Sequence, residues 1–252
     1  MAEAAHPQPE LAIFADAAQL AQAAVNEFAA VAKVAVAQRG RFTVALSGGN
    51  TPRTVYSLLA QQCRDSLDWE KIFIFFGDER HVPPDDQQSN YRMARESLLS
   101  RVPLPEQNVF RVLAELPAED AAEDYENKLR KFFQLAPGDF PRFDLIFLGL
   151  GEDGHTASLF PGSAALAECA RLAVANWVEK FQTFRITLTF PVLNAAAQVV
   201  FLVSGGPKAE IVRDIFTTTN GAYPSQMVHP REGKLLWMLD RPAASLLEAA
   251  AG

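Results

Sequence analysis

FDLIFLGLGEDGHTASLFPG, residues 143–162, joins the largely apolar run FDLIFL to a loop with glycines at G-x-G-x-x-G spacing, two acids and a histidine. The run is apolar on successive residues rather than on alternate ones. That pattern suits a strand buried on both faces, as in a parallel sheet. Similar runs recur along the chain: RFTVAL (41–46), KIFIFF (71–76), NVFRV (108–112), FRITLTF (184–190), QVVFLVS (198–204) and KLLWML (234–239). Helical patterns fall between them. Residues 16–38 place Leu20, Phe28 and Val31 among alanines, with Asp16 as N-cap. Residues 52–63 open on Thr51-Pro52, and residues 89–100 open on Ser89 and Asn90. Residues 118–134 run from acids to Lys128, Arg130 and Lys131, and PKAEIVRDIF (207–216) opens with proline. Strands alternating with helices predict an α/β fold: a modified Rossmann-like, mostly parallel sheet with helices on both faces. We read one domain, 1–252, with residues 1–10 as a flexible tail.

The loop after FDLIFL admits two readings, a dinucleotide cradle or a turn that presents a base. A dinucleotide site needs a long helix after the third glycine and an acid about 20 residues on, at the end of the next strand. Here Pro161 and Gly162 interrupt any such helix, and Glu168 and Glu179 lie in helix-like or loop-like sequence. The remaining content is Asp153 and His155, two apart: a histidine that titrates near neutrality and a carboxylate that can orient it. Ser158 reads as packing or capping, since no G-x-S-x-G elbow surrounds it.

Ligands of open α/β sheets bind beyond the carboxyl ends of the strands, so the other strand-end loops matter equally. SGGNTP (47–52) is either a tight strand–helix turn or an anion cradle, in which Ser47, Gly48, Gly49, Asn50 and Thr51 meet a phosphate at a helix start. GDERHVPPDDQQSNY (77–91) gathers Asp78, Glu79, Arg80 and His81, either as mutually paired loop charges or with Arg80 on an anion. His81, beside prolines, reads as structural. SGGPKAE (204–210) repeats the Gly-Gly pattern and adds Lys208, a surface lysine or a point charge for a phosphate.

Composition limits the partners. Lys and Arg number 23 against 30 Asp and Glu, a net charge of −7, which gives no broad footprint for nucleic acid or an anionic membrane. Two distant cysteines and four histidines show no metal or disulfide spacing. The N-terminus lacks a signal-peptide pattern, and Lys33 interrupts the alanine-rich stretch, so we expect a cytoplasmic protein.

Five segments, ALSGGNTPRTVY (45–56), FFGDERHVPPDDQQSNY (75–91), DLIFLGLGEDGHTASLFPG (144–162), RITLTFPVLNAA (185–196) and LVSGGPKA (202–209), together resemble the glucosamine-6-phosphate isomerase/6-phosphogluconolactonase family, and its lactonase branch in particular. They span most of the chain in the expected order. The resemblance implies hydrolysis of 6-phospho-D-glucono-1,5-lactone, with no metal and no nucleotide cofactor. It makes His155 the catalytic residue with Asp153 beside it, and it assigns phosphate binding to residues 47–51, Arg80 and Lys208, with Arg185 a further candidate. The sister deaminases carry Asp-Glu-Tyr at positions 78–80 and a glutamate where this chain has Phe160; both differences favour the lactonase. Asp78 aligns with the deaminases' proton-transfer carboxylate, and here we expect it to support the site. The implied partner is a sugar-phosphate lactone; we expect no nucleic acid or membrane partner and a monomer or weak dimer. The competing readings are an amino-sugar-phosphate deaminase or isomerase and a non-catalytic sugar-phosphate sensor; a dehydrogenase rests on the glycine spacing alone.

Overall fold

Five of the seven apolar runs become neighbours in one sheet of the computed structural model, which describes residues 9–218 and 221–248. Among the described residues, strands β1 (Glu10–Phe14), β2 (Phe42–Leu46), β3 (Ile72–Phe76), β5 (Leu145–Leu148), β8 (Gln198–Val203) and β9 (Lys234–Asp240) pair in the order β1-β9-β8-β5-β2-β3. Every pairing is parallel. Side chains alternate between two buried layers, which explains why the strands are apolar at consecutive positions. Val44, Leu46, Leu145 and Phe147 enter one core; Ala45, Ile146, Leu148 and Phe201 enter the other.

The first core is covered by α1 (Ala17–Arg39), α2 (Asn50–Gln62) and α3 (Asn90–Ser97), the second by α4 (Ala118–Phe133), α6 (Ala209–Thr217) and α7 (Arg241–Glu248). A short α5 (Phe190–Leu193) precedes β8. Asp16 caps α1 by accepting from the Gln19 amide at 2.8 Å. By length and hydropathy α1 is apolar enough to cross a bilayer. Its Leu20, Val25 and Phe28 are instead buried in the core, with the Phe28 ring edge-on to Phe42 at 5.1 Å.

Several expectations need correction. NVFRV is not a strand: it meets β3 only through an isolated Ile74–Val109 bridge. FRITLTF is a strand, β7 (Thr183–Leu188), but it lies outside the parallel sheet. It pairs antiparallel with β4 (Asp78–Arg80) and β6 (Ala173–Val178) in a separate sheet of order β4-β7-β6. Helix α2 begins at Asn50 with Gly49 as its N-cap, so Thr51 is inside the first turn and caps nothing. Of the expected tail, residues 1–8 lie outside the described residues, whereas Glu10 already pairs with Leu236 of β9.

Candidate functional site

The chain leaves β2 toward β3 on one side and leaves β5 toward β8 on the other. Between the carboxyl ends of β2 and β5 this reversal opens a crevice, where such sheets bind ligands. The loop after β5 is built tightly on its own backbone. The Gly151 amide donates to the His155 carbonyl at 2.8 Å, and the Thr156 hydroxyl donates to the Gly149 carbonyl at 2.9 Å. Gly151 is required by space: a Cβ there would run into the His155 ring and the Asp153 carboxylate. Gly154 takes φ +74, the left-handed conformation that glycine adopts without strain. The glycine spacing therefore serves the packing of a histidine and an aspartate.

Those two side chains do touch. His155 Nδ1 hydrogen-bonds Asp153 Oδ1. A carboxylate only accepts, so Nδ1 carries the proton and Nε2 keeps the free lone pair. Burial pushes the His155 imidazole below its ordinary value, and the hydrogen bond and charge of Asp153 pull it only part of the way back. Burial would raise the Asp153 carboxyl, but the His155 hydrogen bond and charge, with Lys180, hold it below its usual range. The pair thus favours a neutral imidazole beside an ionised carboxylate near pH 7.

The small antiparallel sheet brings the charges. Arg80 of β4 and Arg185 of β7 stand directly opposite each other in register. Asp78 is buried and accepts from the Ser158 hydroxyl at 2.7 Å and the Asn90 amide at 3.1 Å, which ties β4 both to the histidine loop and to α3. Glu79 points to the α3 N-terminus. It accepts from the amides of Asn90 and Tyr91 at 2.7 Å, and from Arg80 N–H and the Ser89 hydroxyl. Burial pushes its carboxyl up, yet all four partners are donors, an arrangement that only the carboxylate satisfies fully. Burial also lowers the Arg185 guanidinium from its ordinary value, with Asp78 pulling the other way.

These parts enclose a cleft of about 230 Å³. Ser47, Gly48, Asp78, Arg80, His155, Arg185 and Lys208 all line it, so residues up to 161 positions apart in sequence meet there. Gly49, Asn50 and Thr51 do not line it; they form the cap and first turn of α2. Asp153 stands behind His155. Among the described residues six buried side-chain polar atoms find no hydrogen-bond partner, and three of them, Ser47 Oγ, Arg80 Nε and Arg185 Nε, belong to residues that line the cleft. His81 is structural, its Nε2 2.8 Å from the Leu116 carbonyl oxygen.

The chain matches the family model described as glucosamine-6-phosphate isomerases/6-phosphogluconolactonase over residues 15–237. It belongs to this family. Within it, a 6-phosphogluconolactonase of Synechocystis is 46% identical over 216 residues, 84% of this chain and 88% of the relative. One of Rattus norvegicus is 43% identical, covering 83% and 82%. Among solved structures, 6-phosphogluconolactonase from Trypanosoma cruzi superposes with a TM-score of 0.86 at 30% identity, covering 97% of this chain and 99% of that one. A monomeric glucosamine-6-phosphate deaminase shares the fold at 20% identity and a TM-score of 0.78.

In this family member the sequence reading missed the residues that support the site. Ser158, read as packing or capping, donates to Asp78 while its carbonyl accepts from Asn176 Nδ2 at 2.8 Å. Tyr56 of α2 both accepts from the Ser47 amide at 3.0 Å and donates to the Ser47 carbonyl at 2.9 Å, fixing the end of β2. Phe160 stacks on the His155 ring with centroids 4.0 Å apart. A serine, a tyrosine and a phenylalanine carry no signal of such roles in sequence; only Phe160 drew notice, through the glutamate it replaces.

Proposed function

We propose that this chain hydrolyses 6-phospho-D-glucono-1,5-lactone to 6-phospho-D-gluconate, the lactone-opening step of the oxidative pentose phosphate pathway, with His155 as the general base. The observation that carries the reading is the Asp153–His155 pair opening on a cleft with three cations, Arg80, Arg185 and Lys208. A lactone is an activated ester, so water suffices as nucleophile. His155 Nε2 takes a proton from the water as its oxygen bonds to C1. Asp153 keeps the ring in the required tautomer and stabilises the imidazolium. The C1 oxyanion is met by donors that line the cleft, for which the Arg80 and Arg185 guanidiniums are suited. Collapse of the tetrahedral intermediate breaks the bond from C1 to the ring oxygen, and the imidazolium protonates that oxygen as it leaves.

The phosphate, remote from C1, supplies the binding energy that fixes the sugar for attack. Lys208, Ser47 and Gly48 lie at the ends of β8 and β2 and, with the arginines, form its binding surface. Asp78 positions the arginines electrostatically and anchors Ser158; it does not transfer the proton. The test is proton release on adding freshly prepared lactone, with the spontaneous rate subtracted. The wild type should release protons rapidly and His155→Ala at close to background. A wild-type kcat in His155→Ala would end the general-base reading.

A further inference from the structure

The hairpin between β6 and β7 contains none of the strand-end loops that carry the cleft, yet its tip touches both chemical halves of it. The turn, residues 179–182, is organised by its own side chains. The Glu179 carboxylate accepts from Trp177 Nε1 at 2.8 Å and from Gln182 Nε2 at 2.7 Å, and Gln182 takes a left-handed φ of +50. From this turn Lys180 reaches the second oxygen of Asp153, with Nζ 3.5 Å from Oδ2, while Oδ1 holds His155. Phe181 lies under the Arg185 guanidinium at 5.0 Å, and meets Phe160 edge-on at 6.0 Å. Phe160 in turn stacks on His155. Phe181 is 46% exposed, more than a side chain kept for core packing would be.

We propose that Lys180 and Phe181 are positioning residues for the reaction: Lys180 holds Asp153, and Phe181 holds Arg185 and, through Phe160, the face of His155. This rests on the lactonase reading. A carboxylate bonded on one oxygen alone can rotate away from the imidazole; the ammonium on the other oxygen restrains it. A guanidinium with an unpaired Nε has few restraints of its own, and the ring face beneath supplies one. The charged groups that face His155 are Asp153 on its own loop, Asp78 of β4 and Arg185 of β7. Lys180 reaches it through Asp153. Freeing Asp153 to turn away removes the interaction that raises His155, so loss of Lys180 moves its titration downward, against the direct effect of removing a positive charge.

The experiment compares Phe181→Ala, Phe181→Trp and Lys180→Met with wild type and with Val34→Ala, an exposed apolar position on α1. It uses lactone kinetics, binding of 6-phosphogluconate, thermal unfolding and an NMR titration of the histidines. Phe181→Ala should lower kcat/KM and 6-phosphogluconate affinity about 3- to 10-fold, the range of an exposed cation–π contact with some desolvation. Its unfolding temperature should stay with that of Val34→Ala, and Phe181→Trp should restore the loss. Lys180→Met should move the His155 titration, and the acid limb of kcat with it, to lower pH. Wild-type values in Phe181→Ala, or a loss that Phe181→Trp does not rescue, would overturn the role of Phe181. An unmoved or raised His155 titration in Lys180→Met would overturn that of Lys180. Background proton release by the wild type would sink the lactonase reading instead, and the NMR titration would still decide the coupling of Lys180 to the pair.

Discussion

The parallel sheet and the three-stranded sheet build the same cleft by different means. Strands of the parallel sheet are apolar throughout their middle and serve the site only through the loops beyond their carboxyl ends: Ser47 and Gly48 after β2, the His155 loop after β5 and Lys208 after β8. The small sheet carries Asp78, Arg80 and Arg185 on its strands. A buried central strand has no room for an ionised side chain, so a parallel sheet must put its chemistry on loops. An antiparallel sheet with one face toward a cleft can carry charges in register, and the opposed Arg80 and Arg185 are the example. On the proposed mechanism proton transfer falls to the loop after β5, and anion recognition to the arginines of the small sheet together with Ser47, Gly48 and Lys208.

Substitutions on the two sides should separate these roles. His155→Gln is expected to have the largest effect, a fall in kcat of about 10²–10⁴-fold with little change in KM, read from initial rates. Arg185→Gln removes a charged donor from the small sheet. It should lower kcat/KM about 10- to 100-fold, chiefly through KM, as loss of a charge-assisted hydrogen bond would. If both changes fell on kcat alone, the division between the sheets would be wrong.

A closer comparison uses two buried tyrosines that do the same thing at adjacent strands. Tyr56 brackets both backbone groups of Ser47, and Tyr125 brackets both backbone groups of Phe76, with its hydroxyl 2.8 Å from each. Burial raises both phenols well above their ordinary value, so they stay neutral donors. Replacing either by phenylalanine should cost about 1–3 kcal/mol in urea unfolding, because a buried amide and carbonyl lose their partner. Only Tyr56→Phe should also raise KM, since Ser47 lines the cleft and Phe76 does not.

The smallest expected effect is a displacement in pH. With His155 as the proposed general base its neutral form is the active one, and burial lowers its titration from the ordinary value, so the acid limb of kcat should fall below pH 6.5. Activity is present above that limb and is lost as pH drops through it. Asp153→Asn removes an interaction that raises His155, and should therefore move the limb to still lower pH while lowering the plateau. A limb that rose in this variant would contradict the pairing of Asp153 with His155.

The parallel sheet was legible because burial on both faces forces consecutive apolar residues, a pattern few other elements produce. Asp16 and Ser89 were legible as caps for a local reason, each accepting from an amide three residues on. Of the small sheet only β7 was legible as a strand. β4 is three residues, Asp-Glu-Arg, without an apolar pattern, and β6 reads AVANWV, with asparagine and alanine at positions that decide nothing locally. NVFRV shows the reverse error, a strand-like composition used to pack an irregular segment against β3. Seven of the expected site residues, reached through loop position and family motifs, line the cleft, whereas Gly49, Asn50 and Thr51 share the motif of Ser47 and Gly48 but sit in the cap and first turn of α2.

By itself the sequence determined the α/β class, the strand-end loops and the presence of an acid and a histidine two apart on a glycine turn, because these follow from periodicity and local backbone demands. Tertiary structure decided which loops face one another, that Asp153 and His155 touch, and that Arg80 and Arg185 oppose each other across two strands. It also placed Ser158, Tyr56, Lys180 and Phe181 against the site. Apart from the Asp153–His155 contact within one loop, those contacts join positions with no local relation in the chain, and their physical basis, burial and hydrogen bonding across elements, exists only once the elements have packed together.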